Sequence, residues 1–232
     1  MIISTDYVNQ KDKELVELFI SSTTVKKYIL GINRLTKSVL KNIEVDGIID
    51  DFTRVQRSRK KEVLKIEDVP KDAIILWTSS GSPLEVKQGL DKMGFRHISY
   101  LALVKYSHLE LAEHPFIMDF AQDYANNKQS YDALYKLFKD EKSKEIFQKV
   151  LNFKISFDYN FMEGFTNDHT GQYFDKEIIP KIQNMRFVDG GGYVGDTASE
   201  VIKNYPDFKT SKWIDENTCR WNHSRKNKKL CR

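Results

Sequence analysis

Apolar residues in the first hundred positions alternate between helical and strand-like spacing. Leu15, Leu18 and Phe19 recur at helical intervals and predict an amphipathic helix over residues 10–21. The apolar run 25–32 predicts a strand that ends at Gly31. Residues 34–42 carry Leu35, Val39 and Leu40 on one helical face, and residues 45–51 read as a second strand ending in two acids. Residues 54–61 read as a charged loop, and residues 73–78 as a third strand, apolar throughout. After the polar turn at Ser79, Pro83 suits the first position of a helix bearing Leu84, Val86 and Leu90 and stopping at Gly94. Residues 96–100 predict a fourth strand. Strands interleaved with helices predict a parallel α/β domain over about residues 22–105. Such sheets bind ligands at the carboxyl ends of their strands, where Gly31 and the Asp50-Asp51 pair fall. Two readings stay open there. One is a nucleotide or sugar-nucleotide site with a carboxylate on a ribose. The other is a turn glycine and two acids that cap a loop.

Residues 107–151 read as helical. Tyr131, Leu134, Tyr135 and Phe138 share one face, and Ser143 starts a further helix through Ile146, Phe147, Val150 and Leu151. Asp140 and Glu141 lie at or before its first turn, where negative charge is favoured. The aromatics read as core. Residues 164–171 form a polar loop. Asp168 and His169 within it do not make a metal site, because sequence neighbours rarely bind one ion alone and no further ligands follow nearby.

At 40% hydrophobic and 12% aromatic, the chain of 232 residues has the means to bury a core. It contains no apolar run of the roughly 18–20 residues that a membrane span requires. The first residues lack the basic start and apolar stretch of a secretory signal, so the expected location is cytoplasmic. Two cysteines, Cys219 and Cys231, are too few for a disulfide framework. The net charge of +4 is unevenly distributed. Residues 209–232 carry eight Lys/Arg and two acids, which leaves 29 basic against 31 acidic residues in 1–208. A basic tail suits a nucleic-acid arm, but the body offers no matching basic patch, so nucleic acid is not the expected partner.

The densest chemistry lies at Phe187-Val-Asp-Gly-Gly-Gly-Tyr-Val-Gly-Asp-Thr197. Residues 185–189 are strand-like. Residues 197–204 are helix-like, with Ala198, Val201 and Ile202 apolar. Glycines between a strand and a helix permit positive φ and let a ligand touch the backbone, and the helix start offers N–H donors. Gly190, Gly192 and Gly195 fit the G-x-G-x-x-G spacing of dinucleotide sites. Yet Asp189 precedes the first glycine and Asp196 opens the helix, where a pyrophosphate wants no carboxylate. An acid in front of the glycines suits an amine-bearing, phosphate-free ligand such as S-adenosyl-L-methionine. A purely structural turn is the plainer alternative.

This string resembles the S-adenosyl-L-methionine motif of FkbM-type methyltransferases, F-V-D-x-G-A-x-x-G-D-T. Upstream, Leu137-Phe-Lys-Asp-Glu-Lys-Ser143, Val150-Leu-Asn-Phe-Lys154 and Gln172-Tyr-Phe-Asp175 are similar, in the same order, to lead-in helices of the family's bacterial branch. The resemblance covers about residues 130–208. Segment 22–105 is similar to the N-terminal domains that accompany this branch and to those of sugar-nucleotide-modifying enzymes. The resemblance implies a transferase that methylates hydroxyl groups of a sugar or glycan, as in polysaccharide biosynthesis. It implies that Asp189 orients the methionine amino group, that Gly190, Gly191 and Gly192 admit the cofactor to the backbone, and that Gly195, Asp196 and Thr197 begin the helix. Tyr173 would line the cofactor or substrate mouth. Asp215 falls where the family's ribose-binding acid ends the next strand, although Glu216 replaces the usual Pro and the flanks do not read as an apolar strand.

The expected fold class is α/β. It comprises an N-terminal Rossmann-like parallel sheet (1–106), a mostly helical lead-in (107–184) and the start of a methyltransferase Rossmann-like domain (185–232). The family domain continues well past the length present here, so a C-terminally truncated form is expected, and no catalytic residue is named. Residues 209–232 show no helical or alternating pattern and read as an out-of-frame end. An incomplete sheet would leave an open edge, which predicts self-association. The competing reading is a non-catalytic remnant that binds a nucleotide sugar or a protein.

Overall fold

The structure, a computed structural model, describes residues 1–79, 81–114, 117–166, 173–175, 179, 181–190, 197–207, 210–214 and 221–223. The chain divides into two compact units, residues 1–166 and 167–232. In the first, α1 (Gln10–Ser21) precedes β1 (Lys27–Leu30), α2 (Arg34–Val39), β2 (Gly47–Ile49), β3 (Arg57–Ser58) and β4 (Lys61–Leu64). Then follow β5 (Ile74–Trp77), α3 (Pro83–Lys92), β6 (Arg96–Ser99), α4 (Tyr100–Tyr106), α5 (Phe120–Leu137) and α6 (Glu141–Ser156). The sheet runs in the order β3-β4-β2-β1-β5-β6. β3 and β4 pair antiparallel and the other neighbours pair parallel.

Helices cover both faces of this sheet, which is why β5 is apolar at every position. Its alternate residues feed two separate cores. Ile74 and Leu76 join Ile29 and Ile98 under Val16 and Phe19 of α1, Leu35 and Val39 of α2 and Leu103 of α4. Ile75 and Trp77 join Tyr28 and Ile49 under Leu90 of α3 and Phe153 of α6, with Tyr159 alongside. Buried apolar area of this kind supplies most of the stability of such a domain.

Four local features depart from the sequence reading. The β3–β4 hairpin begins within the stretch read as a charged loop and runs on past it to Leu64. Its turn residues Arg59 and Lys60 adopt left-handed φ angles of 51° and 68°, a conformation usually marked by Asn or Gly. The described part of residues 107–119 is not helical. Its backbone groups are taken by side chains from elsewhere: Ser38 Oγ accepts from Ala112 N at 2.7 Å, Tyr100 Oη donates to Ala112 O at 2.6 Å, and Asn42 Nδ2 donates to Glu110 O at 3.0 Å. Tyr100 begins α4 instead of ending β6, because the Ser99 hydroxyl caps the helix by accepting from Ala102 N at 2.9 Å. Asp140 caps α6 by accepting from Ser143 N at 2.7 Å, so that helix begins at Glu141 rather than Ser143.

The turn from β1 into α2 is closed by a polar knot. Gly31 holds φ at +105° and donates to Ile49 O at 2.9 Å. Asn33 Oδ1 accepts from Leu35 N and Thr36 N at 2.8 and 3.1 Å and so fills the helix start. The Thr36 hydroxyl donates to Gly31 O at 2.7 Å, and the Thr78 hydroxyl at the end of β5 donates to Leu30 O at 3.0 Å. A Cβ on Gly31 would stand 3.0 Å from Thr78 Oγ1. Backbone strain and this contact together predict that Gly31→Ala lowers unfolding free energy by about 1–3 kcal/mol, measured as a shift in the urea midpoint at unchanged slope.

In the second unit, β7 (Arg186–Gly190) leads towards α7 (Ala198–Asn204), then β8 (Thr210–Ile214) and β9 (Trp221–His223). β8 pairs parallel with β7 and antiparallel with β9. Thus the segment after Lys209, read from the sequence as patternless, contributes two strands. Five residues with β-formers only at 210, 213 and 214 give weak alternation, and the pairing with β7 supplies the order that local propensity does not. Phe174, Val201 and Tyr205 are buried together, with Ile179, Met185 and Phe187 packed against them.

Candidate functional site

β7 alternates so that Phe187 faces the small core while Val188 is largely exposed. Asp189 therefore emerges near the carboxyl end of the strand with its side chain half-buried. The Thr197 hydroxyl donates to Asp189 Oδ2. This bond ties the strand end to the residue that starts α7 across the glycine turn. Because its hydroxyl is committed to Asp189, Thr197 makes no side-chain cap on α7. Asp189 Oδ1 lies outside this bond.

Of the residues expected at this site, the structure brings together Asp189 and Thr197, with Gly190 the last residue of β7. Gly191, Gly192, Gly195, Asp196 and Asp215 lie outside the described residues, as do Asp168 and His169. The register pairs Asp189 with Trp213 and Gly190 with Ile214, so both strands end at one sheet edge, and Asp215 is the next residue in sequence after β8. The residues before Asp215, which failed to read as a strand, are thus a parallel neighbour of β7. Tyr173 is 55% exposed, while its neighbour Phe174 packs 6.2 Å from the Phe187 ring and 6.0 Å from Tyr205.

In the first unit, the other acids singled out by the sequence hold a loop together. Asp50 Oδ1 accepts from Phe52 N and Thr53 N, both at 3.0 Å, and Asp51 Oδ1 accepts from Ile66 N at 2.9 Å. Lys65 Nζ donates to the carbonyls of Asp50, Asp51 and Thr53 at 3.1, 2.7 and 3.2 Å. The loop-capping reading of these acids is therefore observed, and beside them opens a cleft lined by Leu30, Gly31, Ile49 and Leu90.

A polar pocket of about 110 Å³, which no sequence pattern announces, is formed by residues from three distant segments, among them Asp12, Trp77, His97 and Asp158. Trp77 Nε1 donates to His97 Nδ1 at 3.2 Å, which leaves the ring proton on Nε2, 3.0 Å from Asp91 Oδ1. Burial lowers the pKa of His97. Asp158 accepts from the Tyr7 hydroxyl, Asn9 Nδ2 and Asn160 N at 2.8, 2.9 and 2.8 Å. Burial, reinforced by the charge of Asp158, pushes the Asp12 carboxyl up to about 6. Among the described residues no group of three or more His, Cys, Asp or Glu is arranged to hold a metal ion. Nor is any helix among them long and apolar enough to cross a membrane.

No family model matches the sequence, and no curated protein matches it. The fold is similar to that of a solved structure, methyltransferase FkbM from Methylobacillus flagellatus KT. The TM-score is 0.63 at 17% identity, over 90% of this chain and 59% of that one. This chain therefore spans about three-fifths of that protein's length and shares its Rossmann-like α/β fold.

Two outcomes follow from the site geometry. Thr197→Val strands the half-buried Asp189 oxygen. It is expected to lower stability by about 1 kcal/mol or more and to speed hydrogen exchange of the α7 amides, read by mass spectrometry. Asp12 is an acid whose pKa is raised on folding, from 3.8 to about 6. Its contribution is thus most favourable below the lower value and is lost as pH rises through the upper one. Asp12→Asn should match the parent protein at pH 4 and exceed it in urea midpoint at pH 8.

Proposed function

We propose that the chain is an S-adenosyl-L-methionine-dependent O-methyltransferase of FkbM type that acts on a sugar or glycan hydroxyl. The observation that carries this reading is the Asp189–Thr197 hydrogen bond across the glycine turn, in a chain with a methyltransferase-like fold. The donor set fits the cofactor. Asp189 is acidic and anchored at Oδ2, and in this reading Oδ1 accepts from an ammonium group. Around it the sequence supplies Gly190, Gly191 and Gly192, which carry no side chain to keep a ligand from the backbone. Where a pyrophosphate would demand an electropositive helix start, Asp196 supplies a carboxylate, which disfavours a dinucleotide.

In this reading Asp189 holds the cofactor's amino group, Gly195 and Asp196 shape the approach to α7, and Asp215, immediately after β8, takes the ribose hydroxyls. Tyr173, exposed beside the anchored Phe174, borders the mouth. When bound, the cofactor supplies an electrophilic methyl group on a sulfonium. The protein's contribution is to hold the acceptor hydroxyl in line with it, and orientation of that kind accounts for much of the rate gain in group transfer. The excess of acids in residues 1–208 gives no field that draws a polyanion, which accords with a sugar acceptor over nucleic acid.

Calorimetric titration of the purified chain with S-adenosyl-L-methionine tests the proposal without needing the acceptor. Binding is expected, and Asp189→Ala is expected to weaken it by about 10- to 100-fold, the range for a hydrogen-bonded charge pair. Asp189→Asn should weaken it less. No binding at millimolar cofactor, or equal binding by the Ala variant, overturns the proposal.

A further inference from the structure

The cleft in the first unit lies where the order of the parallel sheet reverses. From β1 the chain moves outward to β2 and β4, then returns to the other side of β1 with β5 and β6. Crevices outside the carboxyl ends of strands at such a reversal are the places where open α/β sheets take ligands. Here the cleft has a volume of about 300 Å³. Its walls are Leu30 and Ile49 from the strand ends, Ile66, Val86 and Leu90 from α3, and Met93 just after that helix.

Three features say what fills it. Gly89 sits inside α3 on the cleft wall, and a Cβ there would meet nothing within 4 Å. A glycine weakens a helix interior, and packing does not require this one; its effect is to keep space open. The mouth carries Asp50, 19 positions after Gly31, at the end of β2. That is the register in which an acid meets ribose hydroxyls in nucleotide-binding sheets. The bonds from Phe52 N and Thr53 N fix Asp50 through Oδ1 and leave Oδ2 outside them. Phe52 beside it is fully exposed at the rim, an aromatic face on which a flat ring can stack. Among the described residues the cleft is lined by two carboxylates and no Lys, Arg or His, and Asn33 already fills the start of α2. A phosphate would meet no cation among the described residues of the cleft.

We propose that this cleft binds a nucleoside. The base lies between the apolar walls and Phe52, the ribose diol donates to Asp50, and any 5′ phosphate points outward. The source of the nucleoside, free or as part of a nucleotide, is separated by the test. This site is independent of the one at Asp189, so either proposal can fail alone.

Calorimetry of the full chain with adenosine and with uridine is expected to show binding of at least one, with a Kd of about 1 mM or tighter. The 2′,3′-dideoxy counterpart should bind at least tenfold more weakly. Asp50→Asn, which keeps the Oδ1 acceptor of the turn but puts an amide in place of Oδ2, should abolish that preference. Gly89→Leu should fill the cleft and remove binding with the thermal midpoint unchanged or raised. Asp189→Ala should leave nucleoside affinity unchanged. Adding a 5′-diphosphate should change affinity less than threefold; a tenfold gain would place phosphate in the cleft and overturn the assignment. Neither nucleoside binding, no effect of Gly89→Leu, equal affinity for the dideoxy form, or loss in Asp189→Ala would each overturn it as well.

Discussion

In β1–β2, β1–β5, β5–β6 and β7–β8 the strands run parallel. Each strand must then be followed by a crossover that carries the chain back over the sheet before the next can pair. The crossovers leave from the carboxyl ends, so turns, helix starts and the residues between them collect at one edge. In the first unit that edge holds the Gly31 turn and Asp50. In the second it holds Asp189, and β8 ends beside β7 in register. The candidate chemistry of each unit is a consequence of this pairing rule.

Keeping a turn in place at that edge takes polar side chains that replace missing backbone partners. At β1 the task falls to Asn33, Thr36 and Thr78, whose side chains are bonded to the turn and to one another. At β7, among the described residues, the bond from Thr197 to Asp189 ties the strand end to the helix start. The difference has a chemical meaning. The knot at Gly31 fills the start of α2 with the Asn33 side chain, whereas at β7 the described bond uses Asp189 Oδ2 alone. Specificity at both edges therefore comes from which acceptors the local fold has already used.

Much of this was legible in the sequence. Full burial on both faces made β5 readable as an unbroken apolar run, and β1, α2, α3 and β6 followed from spacing and from Pro83. Asp189 and Thr197 stood out because an acid, glycines and a helix start occur together in eleven residues, 187–197. What stayed hidden depended on tertiary contacts. The β3–β4 turn uses Arg59 and Lys60 where Asn-Gly would have announced it. The extended run near Ala112 is held by Ser38 and Tyr100, far off in sequence. β8 is a strand because β7 pairs with it, not because its own residues insist on one. The pocket around Asp12 joins residues as distant as Asn9 and Asn160, and no local pattern reports such a meeting.

The turn after β7 is proposed above as a cofactor site. A nitrogen–proton correlation spectrum of the labelled chain, titrated with S-adenosylhomocysteine, tests it residue by residue. The account predicts saturable shifts of the amides from Asp189 to Thr197, including the glycines at 190–192 and 195, with residues at the Asp189 edge moving together. Shifts absent at saturating ligand, or confined to residues 1–166, would contradict it.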